Sequence, residues 1–423
     1  MKPLSPFRKN HSGFGLVEVM VAAMIGMFTV MAIMQALAGA ESHRRQMASG
    51  SSADSAGAIA LQILQRAIYS AGAGMTGDAN NIFTVCNAQQ VNASNTAAGA
   101  PGAIVFPTLS FAPIRIWNVA APPTHLNAAG FDANTDIIQV IGGGSDYFFG
   151  RGVPVGNWVD PTNFAHIVVN PRDPAWDAIP GLHSGDLVIV VQAGQNCQIS
   201  QITGLSNQGQ NVLGEATCDA PTPNTAATGA QIRHIVGTFR NFYNGCQQEV
   251  SNWNGGGAFG GTAGTLYPLG SPDRFSIRAY AIRSGQLTAC APLYQDCTIA
   301  ASWQVLGDNI VSLKAQYGYD TNGNQVLDAG EWNRTAPTVN WDRLKAFRLA
   351  LVARNKQMER DVVASADCAP VWSGFATADT TCSGSVSGAQ IFLLNGHDGA
   401  NWNRYRYKLY ETTVPLRNLY WSN

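Results

Sequence analysis

The sequence predicts an α+β protein: a long N-terminal helix, transmembrane in its first half and amphipathic in its second, packed on a large antiparallel-sheet head. Three observations predict it. An uncharged run stands unbroken from Val19 to Ala40, an apolar stripe at helical spacing follows it, and beyond residue 75 short apolar or alternating runs are separated by turn-rich stretches.

Each element has its own reason. Twenty-two uncharged residues, interrupted only by the polar Thr29 and Gln35, would reach roughly 33 Å as a helix, enough to cross a bilayer. Lys2, Arg8 and Lys9 precede the run with no acid among them, so the N-terminus stays cytoplasmic and the remainder faces outward. From Glu41 to Gly57 the chain is rich in serine and small residues, and Gly50 and Gly57 predict a bend or melted turn. Helical spacing resumes with Leu61, Leu64 and Ile68, and with Ala60, Ala67 and Ala71, before Gly72 and Gly74 stop it. No further helix of length is expected.

Strands are expected at 103–106, 114–119, 136–141, 186–192, 233–243, 275–283, 310–319, 346–354 and 404–412. A head of some 350 residues exceeds an ordinary domain, so two lobes are expected with a seam near Asp219 to Ala230.

Composition limits the function. Charged residues make only 13% of 423, against roughly 25% in an average soluble protein, and the net charge is −1. No general basic field exists, which argues against nucleic acid as a partner. Arg404, Arg406 and Lys408 alternate with Tyr405, Tyr407 and Leu409; on a strand they would share one face, which suits either phosphate contact or a plain solvated surface. No catalytic residues are expected. The string Gly255-x-Gly257-x-x-Gly260 opens no helical pattern, and no nucleophile elbow, phosphate loop or H-E-x-x-H zinc motif occurs.

The eight cysteines contain no C-x-x-C pair and lie away from histidine at zinc-finger spacing. They read as disulfides in an oxidising compartment. Proximity pairs Cys197 with Cys218, Cys290 with Cys297 and Cys368 with Cys382, leaving Cys86 for Cys246 by elimination.

Glu18 is the one charge at the head of the apolar run, and a carboxylate at that depth asks for a cation. Cleavage between Gly13 and Phe14 would supply an α-amino group on a neighbouring copy. The string Gly13-Phe14-Gly15-Leu16-Val17-Glu18-Val19, followed by the apolar helix, resembles the class III signal of type IV pilins and pseudopilins. The resemblance implies cleavage after Gly13 by a prepilin peptidase, N-methylation of Phe14, and subunit docking guided by Glu18. It divides the chain into a leader at 1–13, a transmembrane half-helix at 14–40, an amphipathic half-helix at 41–74 and a head at 75–423. Two other readings stay open: a secretory cleavage site at Ala38-Gly39-Ala40, and a simple single-span anchor.

Four further strings resemble PilW-type minor pilins: Leu64 to Gly72; Gln316-Tyr317-Gly318-Tyr319-Asp320; Trp341 with Ala346 to Arg354; and Tyr405 to Asn418. The resemblance implies a structural subunit that primes type IV pilus assembly near the tip. It would sit in the inner membrane with its head in the periplasm and then enter the fibre at the cell surface. Its partners would be other minor pilins, the major pilin and a tip adhesin, with cell adhesion and twitching motility as the processes served. A calcium-dependent binding module displayed on a pilin helix, and a minor pseudopilin of type II secretion, are the alternatives.

The calcium reading comes from Asp320, Asn322, Asn324, Val326 (through its carbonyl), Asp328 and Glu331, which stand at the first, third, fifth, seventh, ninth and twelfth places of a loop. That spacing provides the six or more hard oxygens Ca2+ takes. The turn glycine falls at Gly323 instead of position 325, and the preceding residues read as a strand; a polar hairpin turn at Asn322-Gly323 is the competing reading.

Overall fold

The computed structural model describes residues 15–75, 79–143, 152–156, 158, 165–167, 182–206, 231–255, 259–365, 368–370, 372, 390–392 and 399–420. The chain divides into two units, residues 1–52 and 53–423. One helix, α1 (Leu16–Tyr69), runs 54 residues. The melted turn expected between Glu41 and Gly57 does not form: the backbone stays helical through both glycines. Helix α1 ends where Gly72 and Gly74 take φ of 71° and 80°, a conformation glycine enters without steric cost. The Asn418 amide donates to the Tyr69 and Ala71 carbonyls at 3.1 and 3.3 Å, capping that end from the far terminus of the chain.

A second helix, α2 (Ala79–Ala88), then leads into the hairpin β1 (Val91–Asn95) and β2 (Gly102–Phe106). At ten residues it is a short helix in a stretch where no helical pattern of convincing length is expected. Strands β3 (Ile114–Asn118) and β4 (Asp136–Gly142) come next, then β5 (Val153–Gly156), β6 (Ala165–Ile167), β7 (Leu187–Val191), β8 (Cys197–Gln201), β9 (Gly204–Ser206) and β10 (Gln231–Arg233). The pair β11 (Thr238–Arg240) and β12 (Gln248–Val250) precedes the long β13 (Ala263–Gly270), β14 (Ser276–Arg283), β15 (Gln286–Cys290) and β16 (Gln304–Asp308). The last part holds β17 (Ile310–Tyr319), β18 (Trp332–Asn333), β19 (Leu344–Arg354), β20 (Cys368–Pro370), β21 (Gln390–Phe392), β22 (Tyr407–Pro415) and the short α3 (Arg417–Tyr420).

These strands form three main sheets. The first has the order β2-β1-β8-β7-β13-β5-β6-β10-β9, the second β16-β15-β14-β4-β3, and the third β18-β17-β19-β22. Pairing is antiparallel except between β1 and β8. The architecture is therefore the α+β arrangement the sequence predicts. Residues 53–423 form one compact unit, and the seam expected at 219–230 lies outside the described residues.

The main core joins Ala60, Leu64, Ile68 and Ala71 of α1 to Ile138, Ile277, Leu313, Phe347 and Val414 from the second and third sheets. The helix buries Ala60, Leu64 and Ile68 at successive i, i+4 positions, while Leu61 and Ala67 flank that line. A second apolar cluster, including Trp158, Val188, Val190 and Leu266, lies about β7 and β13 of the first sheet.

Gly57 has a reason inside this packing. A Cβ there would fall 2.1 Å from Cε2 of Tyr410 on β22, so the residue admits the tyrosine ring against the helix. The Tyr410 hydroxyl donates to Asp54 Oδ1 at 2.9 Å, and Lys408 pairs with the same carboxylate. Lys408 and Tyr410 hold the Asp54 carboxyl below its usual value, and burial together with Asp54 pushes the Tyr410 hydroxyl up to about 12. Alanine at position 57 would ordinarily favour the helix by about 1 kcal/mol. Here Gly57→Ala is expected to destabilise by about 1–3 kcal/mol, because the ring must be displaced. Thermal unfolding of the variant measures this, and a gain in stability would show that the tyrosine yields freely.

The disulfides correct the expected pairing. Cys86 is joined to Cys197, 111 positions away, and Cys290 to Cys297. The pairs Cys86–Cys246 and Cys197–Cys218 are therefore wrong; Cys246 is disulfide-bonded to another partner. Proximity misleads because loop closure entropy grows only with the logarithm of length, and the parallel pairing that sets Val91 beside Cys197 brings α2 to β8. Cys218 and Cys382, and the side chain of Cys368, lie outside the described residues.

A buried ionic cluster links the second and third sheets. Asp136 on β4 is fully buried. Its Oδ2 accepts from the Ala315 amide at 3.0 Å, and its Oδ1 lies 3.9 Å from Lys314 Nζ and also contacts Arg334.

Candidate functional site

Two groups of residues are candidates. The first is the head of α1. Residues Leu16–Glu41 have a mean hydropathy of 2.3 over their most apolar 18 residues, and none of that window is buried. Leu16, Val17, Met27 and Phe28 are each about 70% exposed or more. A contiguous apolar surface of this kind requires lipid or other protein around it. Thr29 satisfies its hydroxyl within the helix by donating to the Ile25 carbonyl at 2.7 Å, so this one of the span's two polar interruptions carries no open donor. Glu18 stands in the first turn, where its Oε2 accepts from the Gly15 amide at 3.3 Å. A negative charge at that end suits the helix dipole. Gly13 and Phe14 lie outside the described residues.

The second group is the loop between β17 and β18. As the sequence suggests, a strand enters it, and a single 3-10 turn at Ala329–Glu331 leaves it. The expected obstacle, glutamine at the turn position, is resolved by the backbone: Gln325 itself takes a left-handed φ of 69°, as Gly323 does at 77°. Asp320 is buried and folds the loop over itself, its two oxygens accepting from the Gly323 and Gln325 amides at 2.6 and 2.9 Å. Asn322 and Asn324 each accept from the amide two residues on, at 2.8 Å. Both turn their amides towards Asp328 Oδ2, at 3.4 and 3.5 Å.

Glu331 closes the loop. Its Oε1 accepts from the Thr321 amide and hydroxyl, both at 2.7 Å, and its Oε2 from the Asp328 amide at 3.0 Å. These bonds, that of the Thr321 hydroxyl foremost, hold its carboxyl down to about 2. Hydrogen bonding to the charged form is the cause.

A carboxylate offers about four acceptor positions. Asp320 therefore keeps two beyond its amide contacts, and Asp328 keeps about one beyond the Asn322 and Asn324 amides and the Glu331 backbone amide. Among the described residues no three His, Cys, Asp or Glu side chains cluster as metal ligands. A cation here would be held by the two asparagines and the Val326 carbonyl as well as by carboxylates, a hard-oxygen set that fits Ca2+.

The basic stripe does not form as expected. Arg404 ends the 3-10 helix Gly399–Arg404, and Arg406 precedes β22. Arg406 pairs with Glu359 at 3.1 Å and Lys408 with Asp54, so the chain's own acids meet these cations. Sequence reasoning missed the buried Asp136–Lys314–Arg334 cluster altogether. The sequence carried little signal for it, because Ser312, Lys314 and Gln316 alternate with apolar residues as on a half-solvated strand.

Residues 286–418 match the family model of type IV pilus-assembly protein W. No curated protein and no solved structure matches the chain. The matched stretch runs from β15 through β22 into α3, and so includes the loop, the Asp54 partners on β22 and the Asn418 cap. The match supports a type IV pilus-associated family and implies a role related to pilus assembly. The single candidate membrane helix among the described residues is consistent with anchoring.

Proposed function

We propose that the chain is a minor pilin, a structural subunit that helps to prime a type IV pilus and takes a place near its tip. One observation carries the reading: a chain with a pilus-assembly match in its C-terminal third also begins with an exposed apolar helix whose only charge before residue 41 is Glu18 in the first turn. Before assembly Leu16–Glu41 would rest in the inner membrane; after extraction the same surface would be covered by other pilin helices. Glu18 would set axial register by seeking the α-amino group of a neighbour, since a buried charge without a partner is strongly disfavoured.

The test is made in cells carrying the pilus system. Gly13→Ala should leave the chain uncleaved, whereas the parent's mature N-terminus should read as N-methylated Phe14. Glu18→Ala should leave membrane insertion intact and lower incorporation into sheared filaments by about tenfold, the scale of one lost ion pair of roughly 1.4 kcal/mol. A mature chain starting at Glu41, or normal incorporation of the Glu18 variant, would defeat the reading. Normal piliation with impaired protein secretion on deletion would favour a type II pseudopilin.

The geometry of the 320–331 loop favours calcium binding as a companion property. Asp320, Asn322, Asn324, Val326, Asp328 and Glu331 would hold the ion, which when bound supplies positive charge that rigidifies the loop. The chain's own residues already shape the turn through the Asp320 and Glu331 hydrogen bonds. Calcium at about a hundredfold excess over its Kd should stabilise the purified full chain by about 2.7 kcal/mol. Asp328→Ala should abolish the rise in melting temperature that results. A parent protein that melts at the same temperature with and without calcium would remove the site.

A further inference from the structure

A cleft of about 490 Å³ lies between α1 and the second sheet. Its closed end is set by a backbone contact: the Gly72 amide donates to the Ile141 carbonyl at 2.8 Å, and a Cβ on Gly142 would meet the Ser70 carbonyl at 2.8 Å. From there it follows the helix back to Ile59, which is 53% exposed. Ile59, Ile63 and Arg66 line the helix side at one-turn intervals, and Val140, Arg278 and Tyr280 line the sheet side. Val140 and Arg278 are directly paired across β4 and β14.

The charge in this cleft is one-sided. Among the described residues that line it, the cations are Arg66 and Arg278, both exposed, and there is no carboxylate. Arg278 also bonds the Tyr280 hydroxyl, a neutral partner that holds its guanidinium at the wall of the cleft. Elsewhere on this sparsely charged chain the cations Lys314, Arg406 and Lys408 each meet an acid. A volume of this size is that of a ligand site, with an apolar floor for one side chain and guanidinium groups on both walls for carboxylates.

We propose that this cleft docks an extended acidic peptide segment of a partner protein, an apolar residue seated against Ile63 and Val140 and flanking carboxylates held by Arg66 and Arg278. Guanidinium groups suit that role because they bond carboxylates in a planar, two-pronged geometry. The inference does not depend on whether the chain enters a filament.

The test titrates the purified full chain in detergent with two blocked tripeptides, Ac-Glu-Leu-Asp-NH2 and its uncharged counterpart Ac-Gln-Leu-Asn-NH2, followed by calorimetry. The acidic peptide should bind at least about tenfold more tightly than the uncharged one. Arg66→Gln with Arg278→Gln should remove that difference, and higher salt should weaken it. Both arginines are surface groups, and an unchanged far-ultraviolet circular dichroism spectrum confirms that the variant folds. Equal affinity for the two peptides overturns the proposal, as does the absence of binding at millimolar peptide. Binding of inorganic phosphate that depends on both arginines, without peptide binding, would mean a simple anion site and overturns it as well.

Discussion

Asp136→Ala is expected to cost about 3–5 kcal/mol, the scale seen when one member of a buried ion pair is removed. The carboxylate is fully buried, Lys314 beside it is equally so, and the Ala315 amide also depends on it. Removing it strips three donors on β17 and the segment after β18 of their common acceptor. The second and third sheets would lose a polar tie across the main core. Arg334, with a side chain 25% exposed, can turn towards water, so the cost falls chiefly on Lys314. The double variant Asp136→Leu with Lys314→Met should recover most of the loss, because apolar residues of similar volume can replace a buried pair at little cost. Denaturant unfolding followed by tryptophan fluorescence measures both. An Asp136→Ala midpoint equal to the parent's would show that the cluster contributes nothing.

Loss of the Cys86–Cys197 bond should rank beside it. In the chain-entropy picture, a cross-link closing a loop of 111 residues stabilises by about 4.8 kcal/mol, against about 2.4 for the 7-residue Cys290–Cys297 loop. Cys86→Ala with Cys197→Ala should therefore lower the unfolding free energy about twice as much as Cys290→Ala with Cys297→Ala. The effect should concentrate on α2 and the β1–β8 junction, where hydrogen exchange would report it. Equal losses in the two double variants would overturn the loop-length argument.

What could be read from the sequence was what local chemistry dictates. The apolar run was legible because a bilayer demands length and hydrophobicity together. Ile310–Tyr319 was legible with both ends correct, because its apolar pattern stops sharply at Asp320. The calcium-like loop was legible in its oxygen spacing but not in its backbone: nothing in the residue Gln325 announces a left-handed φ, which the Asp320 carboxylate imposes by binding its amide. Gly57 was misread as a weak point because its reason, the ring of Tyr410, is more than 350 positions away. Helix α2 was missed because its buried side chains, Ile82, Phe83 and Cys86, are too few to establish a period. The cleft beside α1 was invisible for a similar reason, since Arg66 and Arg278 become neighbours only when helix and sheet meet.

The pairing of Gly142 with Ser276 bears on how the molecule is made. Strands β4 and β14 lie side by side, yet about 130 residues, including most of the first sheet, are strung between them. At roughly 5–20 residues per second of synthesis, β4, paired with the earlier β3 along one edge, waits on the order of 7–26 s for the strand that covers its other edge. Its burial on both faces in the finished fold means that an uncovered, aggregation-prone ribbon persists throughout that delay. A holdase that shields nascent apolar strands would matter more to the yield of this protein than to that of a hairpin-built relative.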